Sequence, residues 1–133
     1  MQLLMAVLAD RNDLVEGKAS LIGIFQSIVA SEFPTTLHGI LAIRVAIEPD
    51  EPEVVEVSAR LRRGELDFGE LAIDAFVPPA SHAQPLRGLD VTIDLEGTEL
   101  PEPGLYTFEV AVGGQAVASV PLSVLGMGAA ARA

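Results

Sequence analysis

The sequence contains no cysteine, so it has no disulfide bond, no thiolate metal site and no cysteine nucleophile. It also has few bases: eight lysine and arginine residues stand against 19 aspartate and glutamate residues, which gives a formal net charge of -11. An acidic surface repels phosphate backbones and anionic lipid headgroups, so this charge argues against nucleic-acid and membrane-surface binding. No apolar run approaches the roughly 20 residues of a membrane-spanning helix.

The 133 residues are enough for one domain with a substantial core. We assign residues 1–125 to that domain and residues 126–133 to a flexible tail, because the tail has little to bury. Residues 2–9 are apolar but lack the basic segment that opens a signal peptide, and Asp10 and Arg11 end the run. We therefore interpret them as a core strand. Together with the missing cysteine, this interpretation favours a cytoplasmic location.

What the sequence does contain is a succession of short alternating segments separated by turn residues. In one of them Leu89, Val91 and Ile93 alternate with polar residues, as in a strand with one buried face. The pattern predicts an all-β fold, an eight-stranded antiparallel β-sandwich that is immunoglobulin-like or C2-like in outline. The predicted strands span residues 2–9, 20–30, 39–48, 54–62, 66–77, 89–95, 105–112 and 116–125.

The alternation also predicts two local features of the strands. Its phase slips between Phe68 and Leu71, so we expect a β-bulge near Gly69. In the closing hairpin a two-residue turn would direct Gln115 into the core, so we expect a three-residue turn over residues 113–115. The resulting register opposes Val112 with Ala116, Val110 with Ala118, Phe108 with Val120 and Tyr106 with Leu122.

The first two predicted strands differ from the others because they are apolar on both faces. Only one face of a strand meets the core, so the second face needs a cover. Residues 78–88 offer some apolar side chains for this role, and another subunit is the alternative; symmetric dimers are the commonest solution of that kind. We expect a homo-oligomer or a protein partner, and neither a nucleic-acid nor a membrane partner. The candidate interface residues are Leu4, Leu8, Ile22 and Ile24.

Three segments carry distinctive strand and turn patterns. Residues 5–10 form an apolar strand that ends in Asp10, residues 17–25 read Gly-Lys-Ala-Ser-Leu-Ile-Gly-Ile-Phe, and Phe33 and Pro34 follow. Residues 101–110 read Pro-Glu-Pro-Gly-Leu-Tyr-Thr-Phe-Glu-Val. As a set these segments resemble the signature of a small bacterial family of unknown function. The resemblance implies a single-domain β-sandwich, and it brings no activity, cofactor or site residue.

Acidic side chains cluster in two predicted loops. If the strands run up and down, alternate loops share one end of the fold, so these two loops are expected to meet. Oxygen ligands on neighbouring loops can hold Ca²⁺, but the ordered spacing of an EF-hand is missing, and acidic turns also serve to keep a protein soluble. We expect that folding requires no metal. The candidate ligands are Asp10, Asp13, Glu16, Asp50 and Glu51.

No residue pattern indicates catalysis or a bound cofactor. His38 and His82 fall in predicted loops, without the thiolates or the third histidine of a zinc site. Glu96, Glu99 and Glu102 flank a loop glycine. Paired carboxylates can perform acid–base chemistry, but solvated charge is the simpler interpretation of a loop without a pocket signal.

Two further features have structural interpretations. Arg60 and Arg62 fall on the outer face of a predicted strand, where acids of neighbouring strands can pair with them. Tyr106 lies two residues after Gly104 at the start of a strand, so its hydroxyl is expected to bond the backbone at that corner.

The sequence thus favours a non-catalytic protein-binding or assembly module of the bacterial cytoplasm. Two alternatives stay open, namely a Ca²⁺-dependent binding module that uses the acidic end loops and a small enzyme with an unrecognised carboxylate site. The thermal midpoint of unfolding, measured with and without Ca²⁺, distinguishes the Ca²⁺-dependent module from the favoured hypothesis.

Overall fold

The computed structural model describes residues 2–15, 18–47, 53–77 and 87–127. These residues confirm the all-β prediction, but they form eleven strands rather than eight. The strands are β1 (Gln2–Val15), β2 (Lys18–Phe25), β3 (Ser27–Ala30), β4 (Thr35–Leu37), β5 (Ile40–Ile47), β6 (Val54–Arg63), β7 (Leu66–Phe76), β8 (Arg87–Asp94), β9 (Thr98–Leu100), β10 (Gly104–Val112) and β11 (Gln115–Gly126).

The strands are arranged in two main sheets and one short ribbon. Sheet A has the order β2-β1-β5-β8, and sheet B has the order β3-β11-β10-β6-β7. The ribbon pairs β4 with β9. Within the described residues β2 and β7 therefore each have a hydrogen-bonded neighbour on one side only.

The predicted second strand, residues 20–30, is divided at Gln26. Its first part, β2, pairs with β1 in sheet A, whereas its second part, β3, pairs with β11 in sheet B. The continuous apolar run in the sequence is thus a crossing between two sheets. Because β3 and β11 run parallel, the prediction of a wholly antiparallel fold is wrong for this pair. The other two unpredicted strands are β4 and β9, whose three residues each are too few to show alternation.

Side chains from both sheets form one hydrophobic cluster. β5 contributes Leu41, Ile43 and Val45 from sheet A, and β10 contributes Tyr106 and Phe108 from sheet B; all are essentially inaccessible to solvent. Full burial of an aliphatic or aromatic side chain of this size stabilises the fold by about 1.5–3 kcal/mol. The period-two pattern therefore does place the core residues as predicted in these strands.

The closing hairpin departs from the predicted turn. Val112 lies opposite Gln115 across the two-residue turn Gly113–Gly114, where both glycines have positive φ, so the expected three-residue turn is wrong. A bulge between Val110 and Ala111 then shifts the register by one residue. Because of that shift, the predicted pairs further along are confirmed, namely Val110 with Ala118, Phe108 with Val120 and Tyr106 with Leu122.

Two other local predictions are confirmed. Arg60 pairs with Glu70 but Arg62 pairs with Asp67, so β7 holds one extra residue beside Gly69. The Tyr106 hydroxyl donates a 2.6 Å hydrogen bond to the backbone oxygen of Glu102, which anchors the corner before β10. The predicted pairing of the outer-face arginines is also present, since Arg60 contacts the carboxylates of Asp67 and Glu70.

Candidate functional site

The amino-terminal hairpin, formed by β1 and β2, exposes several large apolar side chains. Leu4 is 52%, Ile22 40% and Ile24 59% accessible, and Val15 is also exposed. Leu8 is different, because it is only 1% accessible and lies opposite Leu41 in the core. Its prediction as an interface residue is wrong, and the three other candidates remain on the surface.

The register of the hairpin explains this division. Leu8 pairs with Phe25 on the face that meets the core, so the next residue, Ala9, and its partner Ile24 lie on the opposite face. Ile22 lies two residues before Ile24 in β2, so its side chain is on the same outer face. Leu4 lies where the pairing of β1 with β5 shifts register, so it does not follow the alternation that buries its neighbours.

The far end of the hairpin covers part of sheet A's own outer face. The Asn12 side-chain nitrogen donates a hydrogen bond of 3.4 Å to the Thr92 hydroxyl on β8. Since β5 lies between β1 and β8 in sheet A, this contact requires the hairpin to reach over β5. Ala42, which pairs with Thr92 on that face, is accordingly buried. This contact concerns the outer face of β5 and β8, and Ile22 and Ile24 of the hairpin stay exposed. Residues 78–86, most of the segment predicted to cover the hairpin, lie outside the described residues.

A glycine permits the close approach of the two hairpin strands at Asp10. Gly23 has a φ of 69°, and a Cβ atom added there would lie 2.1 Å from a carboxylate oxygen of Asp10. A side chain here would displace that carboxylate, which is the end of a flexible side chain, and would also strain the backbone. The positive φ is therefore the stronger reason for glycine at this position.

The hairpin carries little net charge. Residues 2–25 include two bases, Arg11 and Lys18, and three acids, Asp10, Asp13 and Glu16, so their net charge is -1 in a chain whose net charge is -11. Arg11 and Asp13 lie 3.2 Å apart as an ion pair. Beside Ile24 a cavity of about 320 Å³ opens between the sheets, lined by side chains of both. This edge of the fold therefore combines apolar area, a concave feature and little charge.

Only two of the five predicted metal ligands lie among the described residues. Asp10 and Asp13 belong to β1 and not to a loop, while Glu16, Asp50 and Glu51 lie outside the described residues. The two acidic segments adjoin opposite ends of β5, because Ala9 pairs with Ile40 and the chain leaves β5 at Ile47. Those ends are about 23 Å apart at 3.3 Å per residue. Among the described residues no three carboxylate or imidazole side chains are grouped so as to hold a metal ion.

The predicted carboxylates near Gly97 do not form a pair either. Glu96 accepts hydrogen bonds of 2.8 Å from the backbone N–H of Gly39 and makes a contact of the same length with the His38 ring. These bonds, that from His38 foremost, hold the pKa of Glu96 below its ordinary value. Glu102 instead lies 3.2 Å from Arg63. Glu96 and Glu102 thus have separate contacts, while Glu96 and Glu99 both line the groove beside β7 that is described below. His82 lies outside the described residues.

Sequence reasoning missed a second exposed surface on β7, the edge strand of sheet B. Ten of its eleven residues are exposed, although the sequence shows a typical half-buried alternation. A groove of about 500 Å³ runs beside it, between Leu61 and Phe68 of sheet B and the segment that contains Gly97 and Pro101. The sequence shows the apolar side chains of residues 66–77, but no neighbouring residue indicates that this strand lies at the edge of a sheet.

The fold and these surfaces define an all-β protein whose accessible features, in the described part of the chain, are apolar surfaces and strand edges. The chain belongs to a family of unknown function, DUF6941, whose pattern matches residues 4–125. This membership confirms the resemblance to a small family of unknown function. No curated protein matches the chain. None of the described residues forms a helix with the length and apolar character needed to cross a membrane.

Proposed function

We propose that this chain is a non-catalytic assembly module that forms a symmetric dimer through the amino-terminal hairpin. The observation that carries the proposal is the exposure of four large apolar side chains on the two strands of the hairpin, Leu4, Val15, Ile22 and Ile24. Several exposed apolar side chains on one hairpin indicate an interaction site more strongly than single ones scattered over a protein do.

A second copy of the chain fits this surface better than a charged partner does. Residues 2–25, which include the hairpin, carry a net charge of only -1, so two copies meet there with less repulsion than a net charge of -11 imposes elsewhere. A two-fold axis beside β2 pairs the same strand of each copy and buries Ile22 and Ile24 against their equivalents. Such edge pairing adds backbone hydrogen bonds to the apolar contact and helps to reach the roughly 800 Å² per partner of a stable interface.

The remaining parts of the proposal follow from the sequence. We place the module in the bacterial cytoplasm, as a single domain over residues 1–125 with a tail beyond it. Its two packed sheets fit a β-sandwich of immunoglobulin-like or C2-like outline. That likeness concerns the fold and brings no function with it.

Light scattering coupled to size-exclusion chromatography at 10–100 µM, roughly the range in which moderate dimers dissociate, tests the proposal. We expect a dimer for the wild type and a monomer for Ile24→Asp, because a carboxylate at the axis has no partner and loses its water. Leu105→Asp is the matched control, since Leu105 is 60% accessible and lies on sheet B. A monomeric wild type, or equal effects of the two substitutions, would contradict the proposal.

A further inference from the structure

The free side of β7 is the longest unpaired strand edge among the described residues. Next to the bulge at Gly69 its pairing with β6 is irregular, but from Glu70 to Phe76 every residue is in register. An exposed edge of this kind presents unpaired backbone N–H and C=O groups, which accept an added strand. Seven regular residues give such a strand several main-chain hydrogen bonds.

One face of β7 continues the apolar core face of sheet B into solvent. Leu71 pairs with Ala59 and Ile73 pairs with Val57, and both partners are buried. Leu71 and Ile73 point to the same side, yet they are 41% and 39% accessible. Leu71 also lines the 500 Å³ groove, together with Phe68 and Leu61. A strand added beside β7 therefore has apolar surroundings for every second side chain.

The other face of β7 is acidic. The strand carries Asp67, Glu70 and Asp74 and no base, so its own charge is -3, but Arg60 of β6 contacts Asp67 and Glu70 and offsets part of that charge. Asp74 lies directly opposite Glu56 of β6. Like charges in that position destabilise a strand pair, and no base of the described residues forms an ion pair with either carboxylate. The alternate side chains of an added strand would meet this acidic row.

We propose that β7 binds an extended segment of another protein in which apolar residues alternate with lysine or arginine. The backbone of the segment adds to the edge of sheet B, its apolar side chains enter the groove beside Leu71, and its basic side chains face Asp74 and its neighbour Glu56. Opposite charges on neighbouring strands attract, and this attraction favours a basic partner. A second copy of this chain would instead bring another strand of charge -3 against the first.

Titration of the isotope-labelled protein with a nine-residue peptide of alternating valine and lysine tests the inference. At low salt we expect progressive shifts of the backbone amide signals of residues 70–76, and no comparable shifts in β2. A peptide of alternating valine and glutamate is the matched probe and should leave β7 unchanged. The absence of shifts up to millimolar valine–lysine peptide, or equal binding of both peptides, would overturn the proposal.

Charge reversal distinguishes a built site from general attraction to an acidic protein. For Asp74→Lys we expect the dissociation constant of the valine–lysine peptide to rise roughly three- to tenfold. Glu32→Lys changes the net charge by the same amount at an exposed site next to β3, at the other edge of sheet B. This variant should change the dissociation constant of the peptide by less than about twofold. Equal effects of the two variants would contradict the proposal. Ile24→Asp should bind the peptide like the wild type, so failure of the dimer and failure of this site are separable.

Discussion

The clearest test of the packing is the removal of a single oxygen atom by Tyr106→Phe. Tyr106 is fully buried, and its hydroxyl donates a 2.6 Å hydrogen bond to the backbone oxygen of Glu102. The same hydroxyl accepts bonds of 3.2 Å from Arg63 and 3.3 Å from the backbone N–H of Glu102. Phenylalanine keeps the ring and leaves all three groups without this partner.

The structure sets the size of the expected effect. A neutral hydrogen bond contributes about 0.5–1.5 kcal/mol to stability, and a partner left unsatisfied in a partly buried site costs about 1–3 kcal/mol. We therefore expect Tyr106→Phe to lower the free energy of unfolding by about 2 kcal/mol, and the thermal midpoint by about 6–10 °C for a domain of this size. The ring contacts should persist, since the centroids of Phe68 and Tyr106 lie 5.6 Å apart without involving the hydroxyl.

Urea unfolding followed by circular dichroism measures this difference. Thr107→Val is the control, because it also removes a hydroxyl from β10, at a side chain for which the described residues offer no hydrogen bond. It should change the free energy of unfolding by less than about 0.5 kcal/mol. If Tyr106→Phe is no more destabilising than Thr107→Val, the hydroxyl does not anchor the corner. Retained peptide binding in Tyr106→Phe would show that the ring, and not its hydroxyl, supports Phe68 at the groove.

Three further predictions concern the hairpin, one carboxylate and metal ions. Gly23→Ala should destabilise the fold by about 1–3 kcal/mol in urea unfolding, because alanine is strained at positive φ, and a neutral result would contradict the positive φ of this residue. Hydrogen bonds from His38 and Gly39 lower the pKa of Glu96, so its contribution to stability is complete above the ordinary pKa of 4.5 and is lost as pH falls through the lower folded value. The difference in urea midpoint between wild type and Glu96→Gln should therefore shrink below that pH, and a constant difference down to acid pH would contradict the assignment. Millimolar Ca²⁺ or a chelator should leave the thermal midpoint unchanged, whereas a rise of several degrees with Ca²⁺ would revive the metal hypothesis.

Features that depend on neighbouring residues were predictable from the sequence. Alternation in β5, β6 and β8 identifies the side chains that reach the core, since a strand turns successive residues to opposite faces. The slip of phase near Gly69 and the corner at Tyr106 are likewise local patterns, and both are present. The exposed state of Ile22 and Ile24 also follows from a strand that is apolar on both faces.

Features that depend on which distant strands pair were not predictable. Nothing near Gln26 indicates that the chain leaves sheet A for sheet B, because both halves of residues 20–30 are apolar. The turn at Gly113–Gly114 was mispredicted because the prediction assumed an unbroken ladder between β10 and β11. A bulge between Val110 and Ala111 shifts the register by one residue, so a two-residue turn also leads to the pairs that bury the apolar side chains. The missed β7 surface has the same origin: its apolar residues resemble those of β6, and only the strand order makes one buried and the other exposed.

The two exposed surfaces differ in charge, and this difference predicts opposite responses to salt. The hairpin carries a net charge of only -1, so its self-association rests on apolar contact, which added salt does not screen, while screening relieves the general repulsion between chains of charge -11. The dimer should therefore be at least as stable at 500 mM as at 50 mM salt, concentrations between which the Debye length falls from roughly 14 Å to 4 Å. Peptide binding at β7 rests partly on attraction between lysine and the acidic row, so it should weaken over the same range. Light scattering and the amide titration, each repeated at both salt concentrations, measure the two responses separately. A dimer that dissociates with salt, or peptide binding that does not weaken, would show that charge was assigned to the wrong surface.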